Sequence, residues 1–467
     1  MFRGAAVALL LLGLAVGCQR GAPPPNVLVI LADTLRSDRL GAYGNSRQLS
    51  PFIDSLAQRG YVFRNAYAQT PWTNPSVASL FTSRYQSQHG IVTFASVLAD
   101  HELTLAEVLR ERGYATAGFN ANYLLPPKTG FGQGFEVYRT LAVPKADAHG
   151  HDKFAKPRAE RVNSEAFAWL DQPRRAGQPF FLYLHYMEAH NPYTPEAEFL
   201  ARVLGGRPAP DQGAVNTRMN MPNVGVFPDD MVQAVKDYYD AEVISLDRQL
   251  RALFDGLAAR HLLDNTVVVF LADHGEEFRE HELMGHGQTL FEEVIHVPLI
   301  IVLPGQTQRA DVAGLASVVD VAPTLLDLAG IAAPSTFEGH SLRARMGLPA
   351  RGWSLFGSSQ ATDVAVPAAI YSELIKNDLD RLSVHQRAVR TDDGKLITGV
   401  GGEQEFYDLK GDPAETNAAA LDEVARARLA GELARFTAHV SQGSAPAATR
   451  PLDNDTRERM RALGYDE

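Results

Sequence analysis

The stretch NVLVILAD, residues 26 to 33, is an unbroken apolar run that ends in an aspartate. This pattern is typical of a strand buried on both faces, as in a parallel sheet covered by helices. Two later runs repeat it. PFFLYLHY, residues 179 to 186, leads to Glu188 and His190, and TVVVFLA, residues 266 to 272, leads to Asp273 and His274. Ligands of open α/β sheets bind outside the carboxyl ends of the strands, so these polar residues predict a site there.

Helical patterns alternate with these runs. Ser50 followed by Pro51 predicts the start of a helix, with Ser50 as its N-cap. Apolar residues at helical spacing predict a long helix from Val232 to Leu257. The acidic residues within this helix are expected to form a solvated face: Asp240, Glu242 and Asp247.

After Pro349 the pattern changes to short strands separated by turns, followed by a helix from about Glu415 to Val440. This order predicts a small antiparallel sheet. The predicted fold is therefore α/β. A large mixed, mostly parallel sheet flanked by helices would occupy residues 26–349, and a smaller C-terminal antiparallel-sheet subdomain would occupy residues 350–467.

The composition is that of a globular protein. The chain has 467 residues, of which 45% are hydrophobic and 21% are charged, and this is enough material for a large core. The formal net charge is -11 and the sequence pI is about 5.7. Because binding to nucleic acid needs clustered lysine and arginine, this acidity argues against a nucleic-acid partner.

The N-terminus predicts export. Arg3 precedes an apolar run from Ala5 to Val16, which is too short to span a bilayer and suits a signal peptide in residues 1–17. The run ends in LAVGC, which resembles a bacterial lipoprotein processing box, with Cys18 as the lipidated residue. The alternative is an ordinary signal peptide with a chance cysteine. Since Cys18 is the only cysteine, we expect it to be lipidated, with residues 18–25 as a tether. The lipid would make the membrane a partner and place the protein on the bacterial cell envelope, facing the periplasm or cell surface.

A candidate nucleophile lies in TNPSVASLF, residues 73 to 81. Val77, Leu80 and Phe81 have helical spacing, which predicts that Thr73 lies at a helix N-terminus, where backbone N–H groups favour an anion. A threonine hydroxyl is a poor nucleophile unless a dication activates it. The alternative role for Thr73 is a helix cap alone.

The predicted metal site combines Thr73 with the residues that follow the strands. Asp33, Asp273 and His274 offer two carboxylates and one imidazole, which together with the Thr73 hydroxyl could hold one divalent ion. An imidazole ligand favours Zn²⁺ or Mn²⁺, although Ca²⁺ or Mg²⁺ is possible. No Asp-x-x-x-His follows a strand, so one metal ion is predicted rather than two.

Eight stretches resemble motifs of the sulfatase family, in the order in which that family has them. They are NVLVILADTLRSD (26–38), GAYG (41–44), SPFIDSLA (50–57), HNPY (190–193), LADHGEE (271–277), FEEVIHVPL (291–299), DVAPT (320–324) and FYDLKGDP (406–413). The resemblance covers nearly the whole chain after the predicted tether. It implies the alkaline phosphatase superfamily, with a large α/β domain and a smaller C-terminal one.

The sequence departs from the family pattern at several site positions. Sulfatases have Cys-x-Pro-Ser-Arg, or serine for cysteine, and oxidise that residue to formylglycine. Here Thr73 and Val77 replace the cysteine and the arginine, and a threonine cannot become formylglycine because its β-carbon has a methyl group. The resemblance implies that Thr34 occupies the position of a second early aspartate of the family, and that His286 occupies the position of a later lysine. The segment at residues 120–123, NANY, replaces a Gly-Lys-Trp-His segment.

The resemblance also suggests roles for further residues. His190 lies in the His-x-Pro-Tyr motif and would be a general acid near the leaving group. His286 could bind an ester oxygen or a second metal ion, with a structural role as the alternative. Thr34, Glu277 and His281 are candidates for supporting positions around the metal ligands. His185, His89 and His296 are expected to be structural.

The leading hypothesis is a metal-dependent hydrolase of sulfate, phosphate or phosphonate esters, with Thr73 as nucleophile and phosphate-type esters favoured over sulfate. Superfamily relatives that use an unmodified threonine act on phosphate esters. One alternative is a transferase that passes a phosphoryl-linked head group to a lipid or glycan. Another is a binding lipoprotein that keeps the fold without catalysis. The substrate would be a small-molecule, lipid or glycan ester.

Overall fold

The computed structural model describes residues 23–141, 156–175, 177–220, 226–349, 368–376, 384–399, 401–418, 422–442 and 447–451. The predicted signal peptide, Cys18 and most of the predicted tether lie outside these residues, as does the predicted subdomain boundary at position 350. Within the described ranges, every helix is too short or too polar to traverse a lipid bilayer.

The apolar run of residues 26–32 forms a strand in the middle of the main sheet, which contains nine strands within the described residues. Two short two-stranded ladders and a separate four-stranded sheet complete the β structure. In chain order the strands are β1 Asn26–Ala32, β2 Tyr61–Tyr67, β3 Ser96–Val97, β4 Ala115–Asn120, β5 Val137–Thr140, β6 Phe180–Tyr186, β7 Thr266–Ala272, β8 Glu277–Phe278, β9 Met284–Gly285, β10 His296–Val297, β11 Leu299–Val302, β12 Ala310–Ser317, β13 Ile370–Lys376, β14 Val384–Arg390, β15 Gly394–Thr398, β16 Gln404–Asp408 and β17 Ala448–Thr449.

The strand order of the main sheet is β10-β2-β11-β7-β1-β6-β4-β5, and β12 pairs with β2 at one side. The pairs around β1 are parallel, as are β4 with β5 and β6, and β12 with β2. Antiparallel pairs occur where β10 and β11 join. The prediction of a large, mixed and mostly parallel sheet is therefore confirmed.

Helices cover both faces of this sheet, as continuous burial of its central strands requires. In chain order the α-helices are α1 Pro51–Ala57, α2 Thr73–Thr82, α3 Gln86–His89, α4 Leu105–Glu111, α5 Ala159–Leu170, α6 Ala197–Leu204, α7 Gln212–Met219, α8 Asp229–Ala259, α9 Glu292–Ile295, α10 Val321–Ala329 and α11 Glu423–Ser441. The long helix predicted between residues 232 and 257 corresponds to α8.

The C-terminal part forms the predicted antiparallel sheet, in the order β13-β14-β15-β16, with α11 packed on one face. The other face joins a second apolar cluster, which includes Tyr67 and Trp72 from the large domain and Leu374 from β13. Two hydrogen bonds connect the two parts directly. The amide of Glu373 donates to the carbonyl of Gln69 at 2.7 Å, and the hydroxyl of Ser372 donates to the carbonyl of Ala68 at 2.7 Å. The C-terminal sheet thus fixes the segment that leads into α2.

The prediction that the acidic residues of α8 are solvated is wrong. Asp240, Glu242 and Asp247 are all buried. Asp240 pairs with Arg47 and lies 3.8 Å from Arg39, and Glu242 pairs with Lys156 at 3.0 Å. Helical spacing of apolar residues does not reveal that this acidic face packs against other elements.

Ser50 is the N-cap residue of α1 and Pro51 begins the helix, as predicted, but the capping hydrogen bond comes from elsewhere. The Ser50 side chain makes no capping hydrogen bond, and instead accepts from the amide of Gly41 at 3.1 Å. The Asp247 carboxylate from α8 takes its place, because it accepts from the amide of Phe52 at 2.9 Å and from that of Ile53 at 2.8 Å. Burial raises the pKa of Asp247 to about 6.

We expect Asp247→Ala to lower the free energy of unfolding by about 1–3 kcal/mol, because it leaves two buried amides without an acceptor. Differential scanning calorimetry at neutral pH measures this loss as a lower unfolding midpoint. Asp255→Ala is the matched control, since Asp255 lies on the exposed side of the same helix. Equal midpoints for the two variants would show that Asp247 does not hold α1.

Candidate active site

Two aspartates stand side by side at the carboxyl edge of the sheet. β1 pairs in parallel with β7, and Ala32 lies opposite Ala272, so the next residues, Asp33 and Asp273, emerge together. Both side chains are completely buried. The register of two apolar strands therefore places two carboxylates in one buried space.

The two oxygens of the Asp33 carboxylate have different neighbours. Oδ2 accepts from the Asn122 amide at 2.8 Å and lies 3.0 Å from Nε2 of His185. Oδ1 lies 3.5 Å from the Thr73 hydroxyl and 3.7 Å from Nε2 of His274. His185 and Asn122 therefore orient this carboxylate, and its Oδ1 faces the predicted nucleophile.

Asp273 is held in a similar way. Its Oδ1 accepts from the amides of Thr34 at 3.2 Å and His274 at 3.0 Å, whereas its buried Oδ2 has no hydrogen-bond partner among the described residues. Thr34 has a φ of 57°, which is unusual for a β-branched residue. It is the backbone of Thr34 that contacts Asp273, since the Thr34 hydroxyl is buried without a partner in the described part of the chain.

His274 directs a lone pair toward these oxygens. Its Nδ1 lies 2.9 Å from the carbonyl of Gly275, which can only accept, so Nδ1 has the proton and Nε2 is the free acceptor. Nε2 lies 3.3 Å from the Thr73 hydroxyl and 3.4 Å from Oδ2 of Asp273. Burial lowers the pKa of His274, which keeps the ring neutral.

This arrangement fits a divalent cation. Burial and the charge of Asp33 raise the pKa of Asp273 well above its usual value. Burial also opposes ionisation of Asp33, but His190, His185 and His274 hold its pKa below the usual range. Two buried carboxylates, a histidine lone pair and an unpartnered oxygen converge, and a dication would satisfy all of them. The four predicted ligands, Asp33, Thr73, Asp273 and His274, are therefore brought together.

A second set of candidate ligands also includes Asp33 and Asp273. Their carboxylate oxygens and a ring nitrogen of His185 all lie within 4.8 Å of one another. The hydroxyl of Tyr183 lies 2.9 Å from Nδ1 of His185, and Nε2 is within hydrogen-bond distance of Asp33. These contacts suit a histidine that orients the Asp33 carboxylate, so we assign this role to His185 rather than that of a metal ligand. The expectation that His185 is structural was too narrow.

Helix α2 begins at the predicted nucleophile. Thr73 is its first residue, Trp72 is its N-cap, and the Thr73 side chain is buried beside Asp33. The hydroxyl of Ser76 donates to the carbonyl of Asp273 at 2.7 Å, which ties the first turn of the helix to the end of β7. Val77 is fully buried in the core. Ser76 thus positions the helix, and Thr73 presents its hydroxyl at the helix N-terminus.

Three histidine rings lie next to one another in the site. The ring centroid of His286 is 4.6 Å from that of His274 and 5.1 Å from that of His190. Nδ1 of His286 lies 3.0 Å from Oε1 of Glu276, which is completely buried. Nδ1 of His190 contacts the carbonyl of Asn191. Both predicted catalytic histidines therefore lie in the site, and Glu276 orients one of them.

Glu277 and His281 lie in a separate cluster with Glu293. Nδ1 of His281 is 2.6 Å from the Glu293 carboxylate, and Nε2 is 3.0 Å from the carbonyl of Glu415. Both ring nitrogens therefore face acceptors, and the ring has no lone pair for a metal ion. Neither residue contacts the Asp33 cluster in the described structure, so the acid that supports the site is Glu276 rather than Glu277.

His281 links the large domain to the C-terminal subdomain in a pH-dependent way. Burial opposes its charge, but the hydrogen bond and charge of Glu293 raise its pKa to about 9. Because the folded pKa lies above the unfolded value of about 6.5, the stabilisation is complete below about pH 6.5 and is lost as the pH rises to about 9.

We expect His281→Gln to lower the thermal midpoint by several degrees at about pH 6 and to have little effect near pH 9.5. A constant difference at both pH values would contradict this.

Sequence signals exist for the residues that the prediction missed. His185 is a polar residue within an otherwise apolar strand, one position before its end, at the same edge of the sheet as Asp33. Asn122 lies two residues after the end of β4, and Asp273 lies one residue after the end of β7. Glu276 lies two residues after His274, within the same short loop. Each of these follows the rule that polar side chains gather at the carboxyl edge of a parallel sheet.

The fold and this site define an ester hydrolase. A model of the sulfatase family matches residues 25–331, and a model of the C-terminal part of N-sulphoglucosamine sulphohydrolase matches residues 280–438. Since the first match covers well over half of the sequence, this chain belongs to the sulfatase family. Enzymes of this fold use a metal ion, in agreement with the cluster around Asp33 and Asp273.

The relatives are distant but extend over most of the chain. An uncharacterised sulfatase of Escherichia coli, YidJ, is 26% identical over 436 residues, which are 84% of this chain and 82% of that protein. A Delta 4,5-hexuronate-2-O-sulfatase of Bacteroides thetaiotaomicron is 25% identical over 475 residues, with 94% of each covered. The solved phosphonate monoester hydrolase of Agrobacterium radiobacter has a TM-score of 0.72 at 21% identity, over 92% of this chain and all of that one.

We expect Asp273→Ala to lose the bound divalent metal ion, because it removes one of two carboxylates from the cluster. Elemental analysis of the purified protein would give about one ion per chain before the change and less than about a tenth after it. Glu277→Gln is the matched control and should keep its metal. Loss of the ion in Glu277→Gln, with retention in Asp273→Ala, would instead assign the metal to the cluster of Glu277, His281 and Glu293.

Proposed function

We propose that this protein is a metal-dependent hydrolase of phosphorus esters with Thr73 as its nucleophile. The observation that carries the proposal is the position of the Thr73 hydroxyl, 3.5 Å from Oδ1 of Asp33 and 3.3 Å from Nε2 of His274. A divalent ion held by Asp33, Asp273 and His274 would supply positive charge beside that hydroxyl, lower its pKa and stabilise charge on an ester oxygen. Zn²⁺ and Mn²⁺ suit this mixed set of oxygen and imidazole ligands.

The chemistry of threonine supports phosphorus rather than sulfur as the reacting atom. The side chain has a single hydroxyl and a methyl group on the same carbon, so formylglycine cannot form at this position. An ester formed on the Thr73 oxygen must be released by attack on the transferred atom itself. Phosphorus accepts such in-line attack in many enzymes, with cations and N–H donors stabilising the spread negative charge.

The charge of the site supports a substrate whose phosphorus centre has one negative charge. Among the described residues, the hydrogen bonds and ion pairs of Asp33, Thr73, Asp273 and His274 involve no lysine or arginine. Two carboxylates and a dication sum to zero charge, which suits a monoanion better than a dianion. We therefore propose phosphate diesters or phosphonate monoesters as the substrate class.

In the proposed reaction the Thr73 oxygen forms a bond to phosphorus, and the bond from phosphorus to the ester oxygen breaks. The proton of the Thr73 hydroxyl passes through water to the lone pair of His190, and the imidazolium so formed gives a proton to the departing alcohol oxygen. Nδ1–H of His190 donates to the Asn191 carbonyl, so Nε2 is the atom that would accept the proton from water and then deliver it. In the second step water attacks phosphorus, the bond from phosphorus to the Thr73 oxygen breaks, and one proton of the attacking water returns to that oxygen.

His286 is proposed to contact a non-bridging oxygen or the leaving group of the ester. Its Nδ1 faces the Glu276 carboxylate, which fixes the ring beside those of His190 and His274. Burial and the charge of His274 lower its pKa well below the usual value, so it acts as a neutral group at physiological pH. In this position it takes the place of a cationic residue of the family.

The location forms a further part of the proposal. The signal-like N-terminus and Cys18 support export and lipid anchoring to the bacterial cell envelope, where an esterified lipid, glycan or small molecule would be the substrate. Metabolic labelling with a fatty-acid analogue, compared between the full chain and Cys18→Ala, tests this part. Label in both proteins, or in neither, would contradict lipidation at Cys18.

We expect Thr73→Ala to reduce kcat/KM on a phosphonate monoester or phosphate diester by at least about 1000-fold, and Thr73→Ser to keep a large share of the activity. The metal-loaded protein is assayed with aryl sulfate, phosphate monoester, phosphate diester and phosphonate substrates. Thr82→Ala is the matched control, because Thr82 lies on the same helix and donates to the Ala78 carbonyl. Intact-mass analysis after a rapid quench should show a phosphorylated or phosphonylated chain in the wild type and none in Thr73→Ala.

Each other outcome identifies a different function. Release of sulfate without any phosphorus product would make the protein a sulfate ester hydrolase. Products joined to an added acceptor alcohol, in place of water-derived products, would make it a head-group transferase. Turnover of no ester, with Thr73→Ala unchanged, would leave a binding protein with a sulfatase fold.

A further inference from the structure

A lysine from the C-terminal sheet approaches the site beside two aromatic rings. Lys376 is the last residue of β13, and its Nζ lies 5.4 Å from the centroid of the Phe94 ring. The edge of Phe94 packs on Trp72, with the ring centroids 5.1 Å apart. Trp72 directly precedes Thr73 and is the N-cap of α2. These three side chains therefore extend from the proposed nucleophile toward the C-terminal subdomain.

The same group of side chains adjoins His286. A β-carbon on Gly287 would lie 3.5 Å from the β-carbon of Trp72, so the backbone beside His286 packs against this tryptophan. Trp72 therefore connects the backbone beside His286 with the Phe94 ring, beside which the ammonium group of Lys376 lies.

Exposure rises from the nucleophile toward this lysine. Asp33, Asp273 and His274 are completely buried, and Thr73 and Trp72 are each 2% exposed. Phe94 and Lys376 are both half-buried. An ester whose phosphorus lies at Thr73 would place its alcohol portion along this gradient, where it meets an aromatic ring and an ammonium group.

We propose that Lys376, Phe94 and Trp72 form a binding site for the alcohol half of the ester, and that this site takes a ring that has a second anionic group such as a carboxylate. The inference rests on the proposed function and adds the substrate class to it. The ring of the ligand packs on Phe94, which the buried Trp72 supports from behind, and the ammonium group of Lys376 pairs with the anion.

The test compares two phosphonate monoesters that differ in one group: an aryl methylphosphonate and the same ester with a carboxylate on its aryl ring. Lys376→Met keeps most of the side-chain length without the charge. We expect it to raise KM for the carboxylated ester about tenfold, to leave kcat nearly unchanged, and to leave the uncharged aryl ester unaffected. Lys376→Arg should restore most of the discrimination, and Phe94→Leu should raise KM for both esters by about threefold.

The matched control is Lys410→Met, since Lys410 is an exposed lysine of the same subdomain. It should change neither ester. An equal loss of kcat on both esters in Lys376→Met would place Lys376 at the reacting phosphorus and overturn the inference. The same ratio of KM values in wild type and Lys376→Met would overturn it as well.

Binding of unreactive probes separates this inference from the proposed function. Benzyl(methyl)phosphinate and its 4-carboxybenzyl analogue, in which a methylene group replaces the bridging ester oxygen, are titrated into the metal-loaded protein by calorimetry, which needs no turnover. We expect the wild type to bind the carboxylated probe about tenfold more tightly than the other probe, and Lys376→Met to bind the two probes equally. Equal binding of both probes by the wild type overturns the proposed anionic site, whether or not the esters are hydrolysed. Absence of ester turnover with a preference for the carboxylated probe would refute the hydrolase alone.

Discussion

The structure depends on one constraint: two buried carboxylates must share a space without repelling each other. The pairing of β1 with β7 sets Asp33 beside Asp273. Oxygens of the two carboxylates lie within 4.8 Å of each other, and at an effective dielectric constant of about 20 the repulsion between two such charges is about 3 kcal/mol, before any cost of burial. Hydrogen bonds from Asn122 and His185, and from the amides of Thr34 and His274, offset part of this cost. The remainder, together with the unpartnered Oδ2 of Asp273, would favour binding of a cation by the cluster.

The C-terminal subdomain is part of this arrangement. β13 binds the backbone of Ala68 and Gln69 just before Trp72 and Thr73, so the position of α2 depends on both sheets. Close to this contact, the hydroxyl of Tyr67 donates to the Glu292 carboxylate. Burial would raise the pKa of Glu292, but the charges of Lys395 and Arg390 outweigh it and lower the pKa to about 2. Lys395 also pairs with Glu415 at 2.8 Å, with both side chains fully buried. Removing one partner of such a network leaves an uncompensated charge in the core, and this makes the two sheets energetically dependent on each other.

Much of the fold follows from local patterns. The apolar runs at 26–32, 179–186 and 266–272 identified the central strands, and the residues after them identified Asp33, Asp273, His274 and His190, which the structure brings near Thr73. The failures concern partners that are distant in sequence. Nothing near Phe52 shows that an aspartate almost two hundred residues away caps its helix, and nothing near Asp240 shows that two arginines reach it. The choice between Glu276 and Glu277 depends on the direction of two adjacent side chains, which spacing alone does not determine.

The departures from the family pattern that the resemblance implies all reduce the number of charged side chains in the site. Where the sulfatase resemblance implies a second aspartate, this chain has Thr34, whose left-handed backbone gives Asp273 an amide donor. Where the resemblance implies cationic residues, the chain has Val77, His286 and the uncharged segment 120–123. Burial lowers the pKa values of the three histidines beside the two carboxylates, so their rings are neutral. With fewer charges of both signs, the site would favour a singly charged reacting group under the proposed function, and recognition of a second charge would fall to Lys376 in the proposed binding site.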